Sequence, residues 1–194
     1  MTQYLSVLRT RDDREIPVAG TYAIDPTHTS VEFLGRHLMI TKVRCRFPDV
    51  SGTITIDDEP EHSHVEATIQ VATLDTGDAR RDESLRSPDF FDADKYPSIS
   101  FRSTSVEARA SGIWAVTGDL TVRGVTRPVT LEVDFDGANA LPGGEERVAF
   151  SAATEVDRED WGLTWNMALE TGGVLVGKRV RIELNVQAIA TPRT

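Results

Sequence analysis

Val129-Thr130-Leu131-Glu132-Val133-Asp134-Phe135 alternates apolar and polar side chains without a break, and Val180-Arg181-Ile182-Glu183-Leu184-Asn185-Val186-Gln187 does so again. Successive side chains on a strand point to opposite faces, so each segment has one dry face and one wet face. Val65-Glu66-Ala67-Thr68-Ile69-Gln70-Val71 and Val31-Glu32-Phe33 carry the same pattern. Alternation of this kind is the habit of antiparallel sheets, whereas parallel strands read as continuous apolar runs. Working outward, the sequence predicts strands near 20–25, 29–35, 43–56, 64–74, 98–107, 112–123, 127–137, 146–157 and 178–190, about eight or nine in all. Gly124, Asp136-Gly137, Pro142-Gly143-Gly144 and Gly172-Gly173 punctuate them as turns. Pro48 and Gly52 predict a bend or bulge inside 43–56. Residues 3–19 are expected to add a small hairpin turning at Asp12-Asp13.

One stretch departs from this rhythm. Asp78-Ala79-Arg80-Arg81-Asp82-Glu83-Ser84-Leu85-Arg86 has its acids and Ala early, Leu85 and Arg86 late, and Ser87-Pro88 as a stop, which predicts a short helix. A second helical turn is expected at 36–41. Eight or so strands with one dry face each can stack as two sheets around a solid core, or close into a barrel that holds a small ligand. Periodicity is compatible with both. The dry faces are mostly Val, Ile, Ala and Thr, and aromatics make up 7% of the chain, so the medium-sized side chains favour an unfilled interior.

The length of 194 residues fits one domain, divided here into an N-terminal extension over 1–19 and an all-β body over 20–194. A domain of this size buries roughly 70% of its unfolded surface and needs no disulfide or metal to hold it. No apolar run approaches the ~18 residues of a transmembrane helix. The N-terminal apolar stretch breaks on Arg9, Arg11, Asp12, Asp13 and Arg14, too soon for a secretory leader. With a lone Cys45 that has no internal partner, this leads to an expectation of a cytoplasmic protein. A net charge of −10 disfavours nucleic acid and anionic surfaces as partners, and Lys42, Arg44 and Arg46 read as a solvated strand face.

Few residues suggest chemistry. His62 and His64 sit two apart but have no third ligand at readable spacing, so no metal site is expected. There is no Gly-x-Ser-x-Gly elbow, no phosphate-cradling glycine loop and no dinucleotide fingerprint, so neither catalysis nor a cofactor is expected. The helix is more suggestive. Arg80, Arg81 and Arg86 flank Leu85, and Phe90, Phe91 and Tyr96 follow, which fits a lid with an arginine meeting a polar head group or, equally, a cap on the core. Trp161-Gly162-Leu163-Thr164-Trp165-Asn166 reads as a loop that closes a barrel or lines its entrance.

Several motifs in fixed order resemble the YceI-like family. They are Asp25-Pro26-Thr27-His28 through Phe33 with Arg36-His37-Leu38, then Thr76-Gly77-Asp78, Arg81-Asp82 and Leu85 through Asp92. Tyr96-Pro97 through Phe101, Val116 through Val129, Gly162 through Asn166, and Leu169 through Gly177 continue the match, so that it spans about residues 20–190. The resemblance implies an extended, eight-stranded, antiparallel lipocalin-like barrel with a long apolar tunnel, one short helix near its mouth, and an isoprenoid or similar lipid as ligand. An isoprenoid quinone and a homodimer are further implications. Under this reading Phe33, Ile69, Phe101, Leu120, Leu131 and Val133 line the tunnel, Leu85, Phe90 and Trp165 join them near the mouth, and Arg81 and His37 meet the head group. Two alternatives stay open. One is an enzyme acting on an amphiphile, with His28 or His37 as acid–base and Asp25 or Asp82 orienting it. The other is an interaction module that uses the outer face of a filled barrel.

Overall fold

The computed structural model describes residues 7–11, 13–38, 40–109, 112–142, 144–170 and 172–192. Among these, twelve strands and one α-helix follow in order: β1 (Leu8–Arg11), β2 (Arg14–Pro17), β3 (Gly20–Ile24), β4 (Ser30–His37), β5 (Thr41–Arg46), β6 (Val50–Ile56), β7 (His64–Gln70), α1 (Ala79–Arg86), β8 (Ser98–Ala108), β9 (Trp114–Val122), β10 (Val125–Ala140), β11 (Glu146–Asp157) and β12 (Arg179–Ala190). No described helix is long and apolar enough to cross a membrane.

From β6 to β12 the strands form an antiparallel meander, and β12 closes it. Its one edge pairs with β11 from Arg147↔Ile189 to Asp157↔Arg179. Its other edge pairs first with β4, at Arg181↔Leu34 through Asn185↔Ser30, and then with β3, at Ala188↔Ile24 through Ala190↔Tyr22. β3 and β4 are therefore two halves of one stave, and β5 and β6, which pair with β4 and β3 in turn, are two halves of the next. Counted this way the barrel has eight staves, and the expected all-β barrel with one short helix is what the chain forms. Periodicity left a sandwich equally open; the β11–β12 and β12–β3 ladders decide for closure.

Both stave breaks have chemical causes. At the first, Pro26 starts a 3-10 turn through His28, and Asp25 caps it by accepting from the Thr27 amide at 2.9 Å. Gln187 of β12 keeps its ladder partners there, because the Asp25 amide donates to its carbonyl at 2.9 Å and its own amide donates to Thr29 Oγ1 at 3.2 Å. At the second, Phe47-Pro48-Asp49 interrupts the ladder where Pro48 was expected to bend the chain. Gly52 lies just beyond. A Cβ on it would sit 2.1 Å from the Glu66 carbonyl oxygen, so only glycine lets β6 approach β7 this closely. Register shifts at Ser103/Ser105 and Phe135/Gly137 add curvature to the wall.

The structure corrects one expectation directly. The segment 36–41 is no helical turn: β4 runs on through His37, β5 starts at Thr41, and these two residues pair with each other. Leu38 takes φ +54°, its amide donates to the Leu175 carbonyl at 2.8 Å, and Ile40 donates to His37 at 3.1 Å; Met39 lies outside the described residues. The strand ladder on both sides satisfies backbone groups that a single isolated turn would leave open. The helix expected at 78–86 forms as α1, with Asp78 as its N-cap accepting from the Arg80 and Arg81 amides. At the N-terminus β1 and β2 form a two-stranded hairpin with Arg11↔Arg14 as its last pair, while residues 3–6 and Asp12 lie outside the described residues.

On the outside of the first break, Asp25 Oδ2 accepts from Arg147 Nη1 at 2.6 Å and pairs with His28 Nδ1 at 2.8 Å, and Thr27 Oγ1 donates to Oδ1 at 2.6 Å. These partners hold the Asp25 carboxyl well below the ordinary carboxylate range, Thr27 most strongly, then Arg147 and His28. A carboxylate whose pKa is lowered by folding stabilises fully above its unfolded value of about 3.9, and that stabilisation is lost as the pH falls below it. Asp25→Asn is expected to cost about 2 kcal/mol at neutral pH. In thermal unfolding, the gap between this variant and the parent should narrow steadily below about pH 4. A gap that stays constant with pH would mean that the charge on Asp25 does not hold the kink.

Candidate functional site

Closure turns the alternating dry faces inward, and they do not fill the interior. Two cavities occupy it. The lower, of about 200 Å³, is lined by Val129-, Leu131-, Val133- and Phe135-type inward rows from every stave, with Ile69, Phe101 and Leu184 among them. Among the described residues its polar lining is Thr29, Ser63 and His64. The upper, of about 610 Å³, lies toward α1 and the β4–β5 turn. Phe33, Leu120 and Ile182 belong to both linings and form the waist between them. Gly118 shapes the wall of the lower cavity. It sits on the inward row of β9, and a Cβ there would come within 2.4 Å of the Phe101 ring, so its absence gives that ring a place against the wall.

All eleven residues singled out from the sequence line this space. Ile69, Phe101, Leu131 and Val133 belong to the lower cavity, Phe33 and Leu120 to the waist, and His37, Arg81, Leu85, Phe90 and Trp165 to the upper cavity. The rings pack in two groups: Phe33 on Phe47 with centroids 4.8 Å apart and Phe47 on Phe91 at 5.8 Å, and Phe90 on Trp165 at 5.3 Å. Phe90 and Phe91 are buried and line the upper cavity, so they both cap the core and wall the space. Trp161 is buried and donates to the Leu120 carbonyl at 3.0 Å, while Trp165 is only partly buried.

Among the described residues, Arg36, His37, Asp78, Arg80, Arg81 and Ser84 gather as a polar rim of the upper cavity, and the buried Arg158 also lines it. α1 is held there by its own side chains. Arg86 donates to the Ala72 carbonyl at 2.9 Å and the Leu74 carbonyl at 2.6 Å, and Asp82 accepts from the Thr76 amide at 2.9 Å and its hydroxyl at 2.6 Å. Arg81 donates to Thr76 Oγ1 at 3.1 Å. His37 and Arg81, far apart in sequence, thus face one mouth. Of the four large apolar residues that stand in solvent among the described residues, Leu38, Ile40 and Met167 surround this end, linked through Leu175, whose amide donates to the Met167 carbonyl at 2.9 Å.

Arg158 is the residue that sequence reasoning missed. It is buried, and its guanidinium donates to the carbonyls of Gly177 at 3.0 Å, Trp165 at 3.0 Å, Val176 at 3.5 Å and Leu163. Asn166 adds to this, accepting from the Val176 amide at 3.0 Å and donating to its carbonyl at 2.7 Å. The loop after β11, which has few ladder bonds of its own, is therefore folded around one cation and one amide side chain. Burial lowers the Arg158 pKa from its ordinary value, and Asp157 and Glu159 oppose that. No motif at Asp157-Arg158-Glu159 distinguishes this arginine from a surface one; its role exists only once the loop has folded over it.

Of the groups considered from the sequence for acid–base chemistry, His37 lines the upper cavity, but neither Asp25 nor Asp82 lines either one. Asp25 and His28 are bonded to each other but line neither cavity, and Arg147 shares the same carboxylate oxygen. The hydrogen bonds of Asp82 go to Thr76. Lys42, Arg44 and Arg46 form the expected exposed strand face, with Arg44 and Arg46 paired to Glu32 at 3.1 and 3.4 Å. Cys45 is buried in the upper cavity wall.

Comparison with known proteins places this geometry. The YceI-like domain matches residues 22–188. A UPF0312 protein of Vibrio parahaemolyticus is 38% identical over 148 residues, covering 75% of this chain and 78% of its own. A UPF0312 protein of Staphylococcus aureus is 33% identical over 168 residues, covering 86% and 95%. Among solved structures, the Campylobacter jejuni YceI protein aligns with a TM-score of 0.70 at 26% identity, covering 81% of this chain and 90% of that one. Burkholderia cenocepacia BcnA gives 0.75 at 22%, covering 85% and 99%. A polyisoprenoid binding domain from Saccharophagus degradans gives 0.63 at 16%, covering 88% and 98%.

Replacing Arg158 by Met is expected to cost about 3 kcal/mol, because several buried carbonyls lose their donor together. Amide exchange should accelerate at Leu163 and Gly177 before it does in the β8–β9 ladder, and Lys at this position should not restore protection. Uniform acceleration across the barrel would show that Arg158 serves global stability and not the loop. Cys45 supplies a separate check. Burial, aided by Asp82 and Asp75, pushes its thiol up to about 12 from 9.0. Alkylation at pH 8 in the native protein should run roughly a thousandfold slower than after unfolding. Equal rates in the two states would place Cys45 outside the dry wall.

Proposed function

The chain belongs to the YceI-like family, and we propose that its barrel binds and carries a long-chain amphiphile, a polyisoprenoid or an isoprenoid quinone, rather than transforming one. The observation that carries this is the interior itself: two apolar cavities meeting at Phe33, Leu120 and Ile182, with the charged lining residues gathered in the upper one. A polyprenyl tail fits such a space because each buried methylene gains about 0.8 kcal/mol and the lower lining offers no competing charge. A five-carbon unit then gains roughly 3–4 kcal/mol, and a tail of several units would pass the ~18–21 kcal/mol limit of non-covalent affinity unless ordering it took back much of the gain. Tight retention with loose selectivity for the tail's chemistry follows. His37 and Arg81 at the mouth are suited to the head group, and the exposed Leu38, Ile40 and Met167 give an apolar approach to it.

The neighbouring domain from Saccharophagus degradans, described as binding polyisoprenoid, supports the ligand class. Two features weigh for carriage over catalysis. The bonded Asp25–His28 pair lies away from the cavities, and among the described residues no carboxylate lines the lower one. The unfilled interior weighs against a module acting only through its outer face.

Native mass spectrometry of the purified protein, followed by organic extraction, tests the proposal. A stoichiometric prenyl lipid is expected, and Leu131→Glu, which puts a charge on the apolar wall, should retain less than about a tenth of it while unfolding cooperatively. An empty protein that also takes up no added prenyl lipid would overturn the carriage reading. Full retention by a folded Leu131→Glu variant would remove β10 from the binding wall.

A further inference from the structure

The N-terminal hairpin lies outside the region matched to the YceI-like domain, which begins at residue 22, yet it contributes to the cavity. Ile16 and Pro17, both buried, line the lower cavity at its far end, with Pro60 of the β6–β7 connection, His64 at the start of β7 and Trp114 at the start of β9. The hairpin is held there by its other residues. Arg9 and Ile16 are cross-strand partners and so share a face. From that face the Arg9 guanidinium donates to the Asp57 carbonyl and, at 2.7 Å, to the Asp58 carbonyl. Arg11 pairs with Glu59 and Glu61, each at 3.1 Å. Both arginines therefore grip the single connection between β6 and β7. A two-stranded hairpin is at best marginally stable alone, so these contacts and the burial of Ile16 determine where it sits.

We propose that this hairpin is an end-stop that sets the longest apolar tail the barrel accepts. The inference rests on the carriage reading. With the polar rim at the opposite end, an amphiphile enters tail first, and its last carbons meet Ile16 and Pro17. Each added isoprene unit gains affinity until the tail reaches them; the next unit must stay in water or displace the hairpin.

The test measures affinity of the full-length protein for linear prenols lengthened one isoprene unit at a time. For the parent, affinity should rise with length and then stop at a limit. The double variant Arg9→Ser, Arg11→Ser releases the grip and should move the limit longer by at least one unit, binding the first over-length prenol about tenfold or more tighter than the parent does. Ile16→Trp extends the stop into the cavity and should move the limit shorter, with the longest prenol accepted by the parent losing about tenfold or more. Circular dichroism and cooperative melting confirm that both variants are folded, and their opposite shifts separate an end-stop from general loosening. One common limit in all three proteins, with binding otherwise intact, overturns the end-stop alone. No binding of any prenol by the parent overturns both the end-stop and the carriage reading.

Discussion

β12 serves three neighbours at once, and the rest of the molecule depends on that. One of its edges is occupied by β11 over its length, and the other is shared between β4 and β3 on either side of the 3-10 turn at Pro26. Closing the sheet in this way leaves β5 as its one free edge among the described residues, and it also commits each strand's dry face to the lumen. Those faces carry side chains of medium size, so they meet without filling the centre. The cavity is therefore a direct consequence of closure with rows of mostly Val, Ile, Leu and Ala, and it needs no special cavity-forming device.

The two broken staves decide how the interior is divided. Below the breaks, β3 and β6 pair within the ladder and the lining is almost entirely apolar. Above them, β5 stands at the end of the sheet, and the chain from Asp75 onward covers its free edge through the paired amides and carbonyls of Arg46 and Asp75, at 2.8 and 2.9 Å. That detour delivers α1, Phe90 and Phe91 to the upper cavity. The Arg158 loop approaches from the other side, with its carbonyls gathered on one guanidinium. The wide, polar-rimmed half is thus built from connections between strands, and the narrow apolar half from the strands themselves.

How much of this was legible depended on the range of the interaction involved. The inward rows at Leu131, Val133, Ile69 and Phe101 could be read because side-chain direction on a strand is set by neighbours two residues away. The α1 helix was legible for a similar reason: Asp78 caps amides two and three residues along. The segment 36–41 misled because its local composition tolerates a helical turn, while its actual partners, Thr41 across the hairpin and Leu175 in a remote loop, leave no mark in the local sequence. Arg158 and Arg9 were unreadable as structural residues, since an arginine that gathers distant carbonyls has the same sequence signature as one in solvent.

The amino-acid sequence alone determined that the chain is antiparallel β, which residues on each strand face inward, where the one helix lies and where the chain turns, because these follow from period and from caps a few residues long. Its ordered motifs also marked the family. Only the tertiary structure decided that the sheet closes, that the interior divides at Phe33, Leu120 and Ile182, and that Ile16 and Pro17 bound its far end. Those outcomes rest on pairings between residues more than a hundred positions apart, such as Asp25 with Arg147 and β3 with β12, and on the volume left over after packing. Neither a long-range pairing nor an unfilled volume has a period, so neither can be read along the chain.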